Sequence, residues 1–375
     1  MISLKEYFNL PNKLDKSQFD EGTYGAKFLK QKTIDLSKDT QVVLFGVEEA
    51  RNSYCNSFSV DINYIRGEFY KLSEVPNINI VDLGNLKLGN TVKDTYIVLE
   101  QIVSDLISNK IIPIILGGTQ ELTYSIIKGV EINNKEYELS VIDSTIDIKN
   151  EELHSQSYLN YIFNNKNVES RVSIIGYQSY FVTDNLFKRA LDKDFDLYRL
   201  GEIRNDFLQV ESIFRDSDMV SLDMSAIRQS DNPAVEHIST NGLYAEEACQ
   251  LANFAGLSDK LKVFSIFEYN KQFDIRGQSA KLISQIIWYF LFGLSKRKGD
   301  YPRRDIKTYK KIYVKLDQLN FDIVFYKNIE NKRYWIEVPI GNNKNKIISC
   351  SEADYVKTIN NEIPDRIWKN ISRIS

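Results

Sequence analysis

Three aspartates and one amide carry the first chemical signal in this chain. Asp143 and Asp147 stand just beyond an apolar run that ends at Ile142, and Asp223 closes a second run, Val220-Ser221-Leu222. A third run, Ile114-Ile115-Leu116, passes through Gly117-Gly118-Thr119 to Gln120. Runs of this kind read as buried strands. A carboxylate at the end of a buried strand is unfavourable unless it is paired, hydrogen-bonded or bound to a cation. The three strand ends are therefore expected to meet at one polar site. Imidazole is nearly absent: the chain of 375 residues holds only His154 and His237, so a histidine-rich metal centre cannot be built. Both histidines fall in expected loops and are read as solvated or locally bonded. Cys55 has no histidine near it in the pattern and is read as structural, not nucleophilic.

The elements that must position these residues alternate. Val42–Val47, Asn79–Gly84, Ile111–Leu116, Leu139–Ile142, Val172–Ile175, Met219–Leu222 and Val263–Phe267 are short, apolar and mostly β-branched. Helical patterns lie between them at Ser57–Leu72, Val92–Asn109, Glu121–Val130, Tyr158–Phe163, Asp184–Leu191, Tyr244–Gly256 and Gly277–Phe292. Such alternation predicts an α/β fold with a mostly parallel sheet covered on both faces. Ligands of such sheets sit beyond the carboxyl ends of the strands, where Gln120, Asp143, Asp147, Asp223 and Glu268 all fall. One cleft should collect them. Residues 1–40 show no clear period and are expected as a short helix and loops on the surface, with the α/β domain at 41–297. After the charged run Ser295–Arg304, strands are expected at Lys311–Leu316, Phe321–Lys327 and Lys332–Ile340. Ser351–Trp368 reads as a helix followed by a proline-containing turn, so 298–375 forms a small β-rich extension.

Bulk composition narrows the function classes. With 48 basic and 51 acidic residues well mixed along the chain, no basic field exists for a nucleic-acid backbone. The longest apolar stretch, Leu282–Leu294, is broken by Ser284 and Gln285, and no membrane insertion is expected. Met1–Glu6 lacks the basic and apolar regions of a signal peptide. Three scattered cysteines argue against a disulfide framework and for a cytoplasmic protein. Hydrophobic residues make up 43%, enough for a sizeable core. The 22 tyrosines and 20 phenylalanines supply contact area that suits either a partner surface or the packing of the extension.

Across roughly residues 40–295 the chain resembles the ureohydrolases: arginases, agmatinases and formimidoylglutamases. Gly46-Val47 with Arg51-Asn52 and Ile65-Arg66 looks like the family's first strand and helix. Leu116–Gln120 looks like its Gly-Gly-x-His turn, Asp143–Asp147 like its Asp-x-His-x-Asp strand end, and Ser221–Ser225 like its Ser-x-Asp-x-Asp strand end. Asn241-Gly242-Leu243-Tyr244 with Glu246, and Glu268-Tyr269-Asn270 with Asp274, look like its later site elements. His154-Ser155-Gln156-Ser157 sits where formimidoylglutamases carry a substrate loop, and those members are the nearest in appearance. The resemblance implies a three-layer ureohydrolase-like fold. It also implies a site where six ligands hold two manganese ions and a bridging hydroxide attacks a guanidinium or formimino carbon.

The ligand set that the resemblance implies is incomplete here. Gln120 and Thr145 stand at the two histidine positions, and Ser225 stands at the second aspartate of the later motif. The remaining Asp143, Asp147 and Asp223 would, by the family's geometry, all touch the same ion, two of them as bridges. The expectation is no cofactor, or at most one divalent cation (manganese or magnesium), with Gln120 offering a neutral oxygen. Three carboxylates without metal repel one another. Arg228, where the family has an aspartate, or Lys149 is expected to neutralise them. Glu246 and Glu268 complete the expected pocket, although a carboxylate in a first helical turn, as at Glu246, needs no ligand to explain it. The reading is a ureohydrolase relative that has lost its binuclear site and acts as a non-catalytic scaffold, with a protein partner or as a homo-oligomer. The alternatives are a hydrolase of a linear amidine C–N bond with a single-metal site, or a small-molecule sensor.

Overall fold

The computed structural model describes residues 4–11, 19–28, 36–54, 58–149, 152–164, 168–302, 308–319, 321–339 and 345–372. Cys55 lies outside these residues, as do Met1–Ser3 and Arg303-Arg304. The strands of the main sheet are β1 (Phe8–Asn9), β2 (Val42–Val47), β3 (Ile80–Leu86), β4 (Ile112–Gly117), β5 (Glu136–Ile142), β6 (Glu169–Tyr177), β7 (Asp196–Arg199), β8 (Met219–Asp223) and β9 (Val263–Phe267). They lie in the order β1-β3-β2-β4-β9-β8-β5-β6-β7. All neighbours are parallel except β1, which runs antiparallel to β3. The helices are α1 (Tyr24–Phe28), α2 (Ile62–Phe69), α3 (Val92–Ser108), α4 (Leu122–Glu131), α5 (Asp184–Asp192), α6 (Leu200–Asn205), α7 (Phe207–Asp216), α8 (Ala245–Leu257) and α9 (Gln278–Leu294). Among the described residues, no helix is long and apolar enough to cross a membrane.

Strand β2 shows why the sheet is covered twice. Val42 and Leu44 join one core with residues of α2, α8 and α9, whereas Val43, Phe45 and Val47 join another with residues of α3 and α4. Side chains alternate across a strand, so a run that is apolar at every position needs a helix layer on each side. This is the three-layer arrangement the pattern predicts. The chain leaves β4 and enters β5 three places away, and β9 and β8 later fill the gap. The carboxyl ends of β4, β9, β8 and β5 therefore lie side by side, which is how the fold gathers residues from four distant segments.

The extension is a separate four-stranded antiparallel sheet, β10 (Tyr309–Lys315), β11 (Asp322–Asn328), β12 (Tyr334–Pro339) and β13 (Asn345–Cys350), with α10 (Glu352–Ile359) and α11 (Asp365–Ser372). Its docking rests on the end of α7. Arg215 donates to the carbonyls of Tyr334 (3.0 Å) and Cys350 (2.9 Å) and lies over the Trp335 ring. Asp216 accepts from the Ser349 amide and hydroxyl and pairs with the Arg366 guanidinium.

Several sequence expectations need correction. The segment 1–40 is not confined to the surface: Leu4, Phe8, Tyr24 and Phe28 are buried, and β1 adds an edge to the sheet. Four apolar anchors spread over a polar stretch leave no period to read. Edge strand β7 and helices α6 and α7 had no signal, because Asp-Leu-Tyr-Arg is not an apolar run and Asp206 interrupts the two helices. Strand β13 was also missed. Pro364 does not end the helical region but precedes a second helix, its carbonyl accepting from the Trp368 amide, a position where proline costs no hydrogen bond.

Removing one partner of a buried ion pair leaves the other charge stranded. Asp216→Ala should therefore destabilise the protein by about 3–5 kcal/mol in urea unfolding. Trp368→Ala, at a side chain exposed to solvent, should stay within about 0.5 kcal/mol of the parent.

Candidate functional site

Each strand end presents its polar group through a local device. After β4, the Gly118 amide donates to the Val47 carbonyl (2.8 Å), and a Cβ at Gly118 would fall 1.8 Å from the Glu49 carbonyl oxygen. Only glycine permits that approach, which turns the chain so that Gln120 faces inward. After β5, Asp143 Oδ1 accepts from the Thr145 amide at 3.0 Å, and after β8, Asp223 Oδ1 accepts from the Ser225 amide at 2.6 Å. These are side-chain turns of the kind aspartate favours. After β9, Glu268 adopts φ 64°, a left-handed backbone uncommon for a side chain of its length, and its Oε1 accepts from the Gln120 amide at 2.7 Å.

The result is a carboxylate cluster. One oxygen from each of Asp143, Asp147 and Asp223 lies within 4.8 Å of the others, and all three residues are buried. Gln120 Nε2 donates to Tyr158 Oη (3.2 Å) and Ser221 Oγ (3.0 Å). Among the described residues, Gln120 Oε1 and Asp143 Oδ2 are buried without a hydrogen-bond partner. Burial, then the Asp223 charge, holds Asp143 well above the ordinary carboxyl range. Burial and the charges of Asp143 and Asp223 do the same for Asp147, and burial with the Asp223 charge does so for Glu268. Burial pushes Asp223 up to about 6 against the hydrogen bonds from Ser225. A cluster in which every acid resists ionisation is one that lacks positive charge.

The residues at the altered positions offer little to a second ion. Thr145 lies in the cleft, and Ser225 Oγ meets Ser144 Oγ at 3.4 Å. The expected neutralisers are engaged elsewhere, which corrects that expectation. Arg228 pairs with Asp231 at 2.9 Å and lies over the Tyr244 ring. Lys149 lines the cleft, but its ammonium lies over the Tyr54 ring and donates to Gln156. Of the expected pocket residues, Glu268 is in the cleft, whereas Glu246 is exposed in the first turn of α8 and neither it nor Arg228 lines the cleft.

The cleft, of about 680 Å³, opens between an acidic floor and a mixed rim. Tyr54, Phe181, Leu186 and Ile238 give the rim apolar surface. His237 reaches the mouth, where its Nε2 meets Gln156 Nε2 at 3.0 Å, and His154 sits beside Tyr54 with its Nδ1 accepting from the Gln156 amide at 3.0 Å. Sequence reasoning left both histidines in loops and did not foresee that the fold brings them together. Tyr158, fully buried against Gln120, was also missed, since nothing in its spacing marks it. Glu121, next to Gln120, is fully buried with one oxygen unpartnered, and burial pushes it up to about 8 despite donors from Thr119 and Tyr96.

The residue types suit a hard cation. Oxygen donors alone favour magnesium or manganese, and the three aspartates supply them at one point. Among the described residues no imidazole stands at the ends of β4, β5 and β8.

Comparison with known proteins agrees with the fold. The sequence model of the Arginase family matches residues 45–293. The chain is 23% identical over 273 residues to a formimidoylglutamase of Macrococcus caseolyticus, covering 68% of this chain and 86% of that one. It is 23% identical over 259 residues to one of Staphylococcus haemolyticus, covering 66% and 82%. Among solved structures it is similar to a Trypanosoma cruzi formiminoglutamase with manganese (TM-score 0.66, 16% identity, 74% of this chain and 100% of that one). It is similar also to a Bacillus subtilis formimidoylglutamase (TM-score 0.66, 17% identity, 78% and 97%).

A carboxyl raised in the folded state keeps its proton longer there than in the unfolded chain. Stability is then full below the unfolded value and declines as pH rises through the folded one. For Asp223 that window runs from 3.8 to about 6, and Asp143, Asp147 and Glu268 extend it upward. Calorimetry of chelator-treated protein should show the Tm falling as pH rises from about 4 to 7, with saturating manganese flattening the fall.

Proposed function

The chain belongs to the arginase family, and from that premise we propose that it is a formimidoylglutamase-like member that binds one divalent cation and no longer carries out two-ion hydrolysis. The observation that carries this reading is the unequal fate of the ligand positions. Asp143, Asp147 and Asp223 converge within 4.8 Å, whereas Thr145 and Ser225 offer only hydroxyls. Two-ion hydrolysis needs a hydroxide made at neutral pH between two cations, and the second cation has lost its exclusive ligands.

In this reading Asp143, Asp147, Asp223 and Gln120 Oε1 hold the ion, which when bound would neutralise the acids and polarise an oxygen on a ligand. Glu268 keeps its carboxylate beside them, fixed by the Gln120 amide, and suits a cationic group. Lys149, Gln156 and His237 supply polar contacts at the mouth. The protein serves as a non-catalytic binding or scaffold protein of the cytoplasm, with a protein partner or as a homo-oligomer. Buried free Cys249 and Cys350 fit a reducing compartment.

A second reading is favoured by one specific feature. Glu268 remains beside the triad in a strained conformation, in an open cleft. That arrangement supports a hydrolase of a linear amidine C–N bond that works with a single ion.

Elemental analysis after manganese loading and dialysis separates these readings from the ancestral site. One ion per chain is expected, none in Asp143→Ala, and two in the double variant Thr145→His with Ser225→Asp. Incubation with N-formimino-glutamate should release no formamide. Release with one ion bound would establish the second reading, and two ions in the parent protein would overturn both.

A further inference from the structure

At the opposite edge of the sheet, the amino ends of β4, β5, β6, β8 and β9 surround a second cavity of about 650 Å³. Seven cationic side chains line it, and most of the acids that share it are already occupied. Asp218 pairs with Lys262 at 2.9 Å, and Glu136 and Glu138 lie 3.7 and 3.5 Å from Lys346. Asp259 accepts from the amides of Gly299 (3.3 Å) and Asp300 (2.7 Å), and Glu169 is exposed at the rim.

Five cations remain without an ion pair among the described residues; Lys110 and Lys135 are exposed, whereas Arg171, Lys260 and Arg297 are half-buried. Arg171 donates to the Asn370 amide oxygen, Lys260 to the Asp216 carbonyl (3.3 Å), and Arg297 to the carbonyls of Gly256 (2.9 Å) and Leu261 (3.3 Å). Burial lowers the Lys260 pKa, but the charges of Asp216, Glu138 and Asp218 outweigh it and hold it above the ordinary value, although no carboxylate among the described residues sits at ion-pair distance. Arg297 is the least compensated: burial pulls its pKa down to about 10, with only Asp259 opposing. A guanidinium seldom gives up its proton, so such a group favours an anion that enters the cavity.

We propose that this cavity, built by Arg171, Lys260 and Arg297, binds a small phosphate ester. Two guanidinium forks match the oxygens of a phosphate bidentately, and an ammonium adds a point charge. The cavity is larger than a phosphate alone, and Ile107, Ile111 and Leu261 give it apolar wall for an organic portion. Lys346 comes from β13 of the extension, so a ligand here touches both sheets and ties the extension to the α/β domain.

Inorganic phosphate is the minimal probe, titrated into chelator-treated, full-length protein at constant ionic strength. The expected result is a saturable rise in Tm and a saturable calorimetric isotherm. Lys260→Gln with Arg297→Gln should weaken binding at least tenfold, and Asp143→Ala, in the other cleft, should leave it unchanged. Should the double variant fail to fold, Lys260→Gln alone should still weaken binding several-fold. Absence of saturable binding to the parent protein, equal binding by the lysine and arginine variants, or loss of binding in Asp143→Ala would overturn the proposal.

Discussion

Like-charge repulsion among buried acids is the constraint on which the site depends. Asp143, Asp147, Asp223 and Glu268 are held at adjacent strand ends by backbone turns, not by salt bridges, so the fold brings the charges together without answering them. Two ways out remain: protons, which the raised pKa values allow, or a cation. Either would give a partner to Asp143 Oδ2, which has none among the described residues. Side chains do not supply the charge. Arg228 is committed to Asp231, and Lys149 to Gln156 and the Tyr54 ring.

The fold was more legible than the site. Seven apolar runs lay where the strands β2, β3, β4, β5, β6, β8 and β9 form, since strands buried on both faces need no alternation to be recognised. What escaped was the two-residue β1, the half-exposed edge β7, the α6–α7 pair split at Asp206 and, in the extension, β13. At the site, the motif spacings placed Gln120, Asp143, Asp147, Asp223 and Glu268 together. They could not tell that the side chain of Arg228 turns toward Asp231, because that depends on a neighbour three residues on and on the Tyr244 ring. Nor could they show that His154 and His237 approach one another around Tyr54.

The two edges of the sheet carry opposite chemistry. The carboxyl edge gathers acids and suits a cation, while the amino edge gathers cations that outnumber their paired acids. The extension lies beyond the region that matches the family and, among the described residues, reaches the second edge through Arg215, Asp216, Arg366 and Lys346. A change at the extension therefore bears on the amino-edge cavity and on stability.

The central claim is that the cleft holds one cation where its relatives' fold holds more. Anomalous diffraction at the manganese edge, from crystals grown with manganese, tests it most directly. The account predicts a single peak among Asp143, Asp147 and Asp223, within coordination distance of Gln120 Oε1. A second peak beside Thr145 and Ser225 would contradict it.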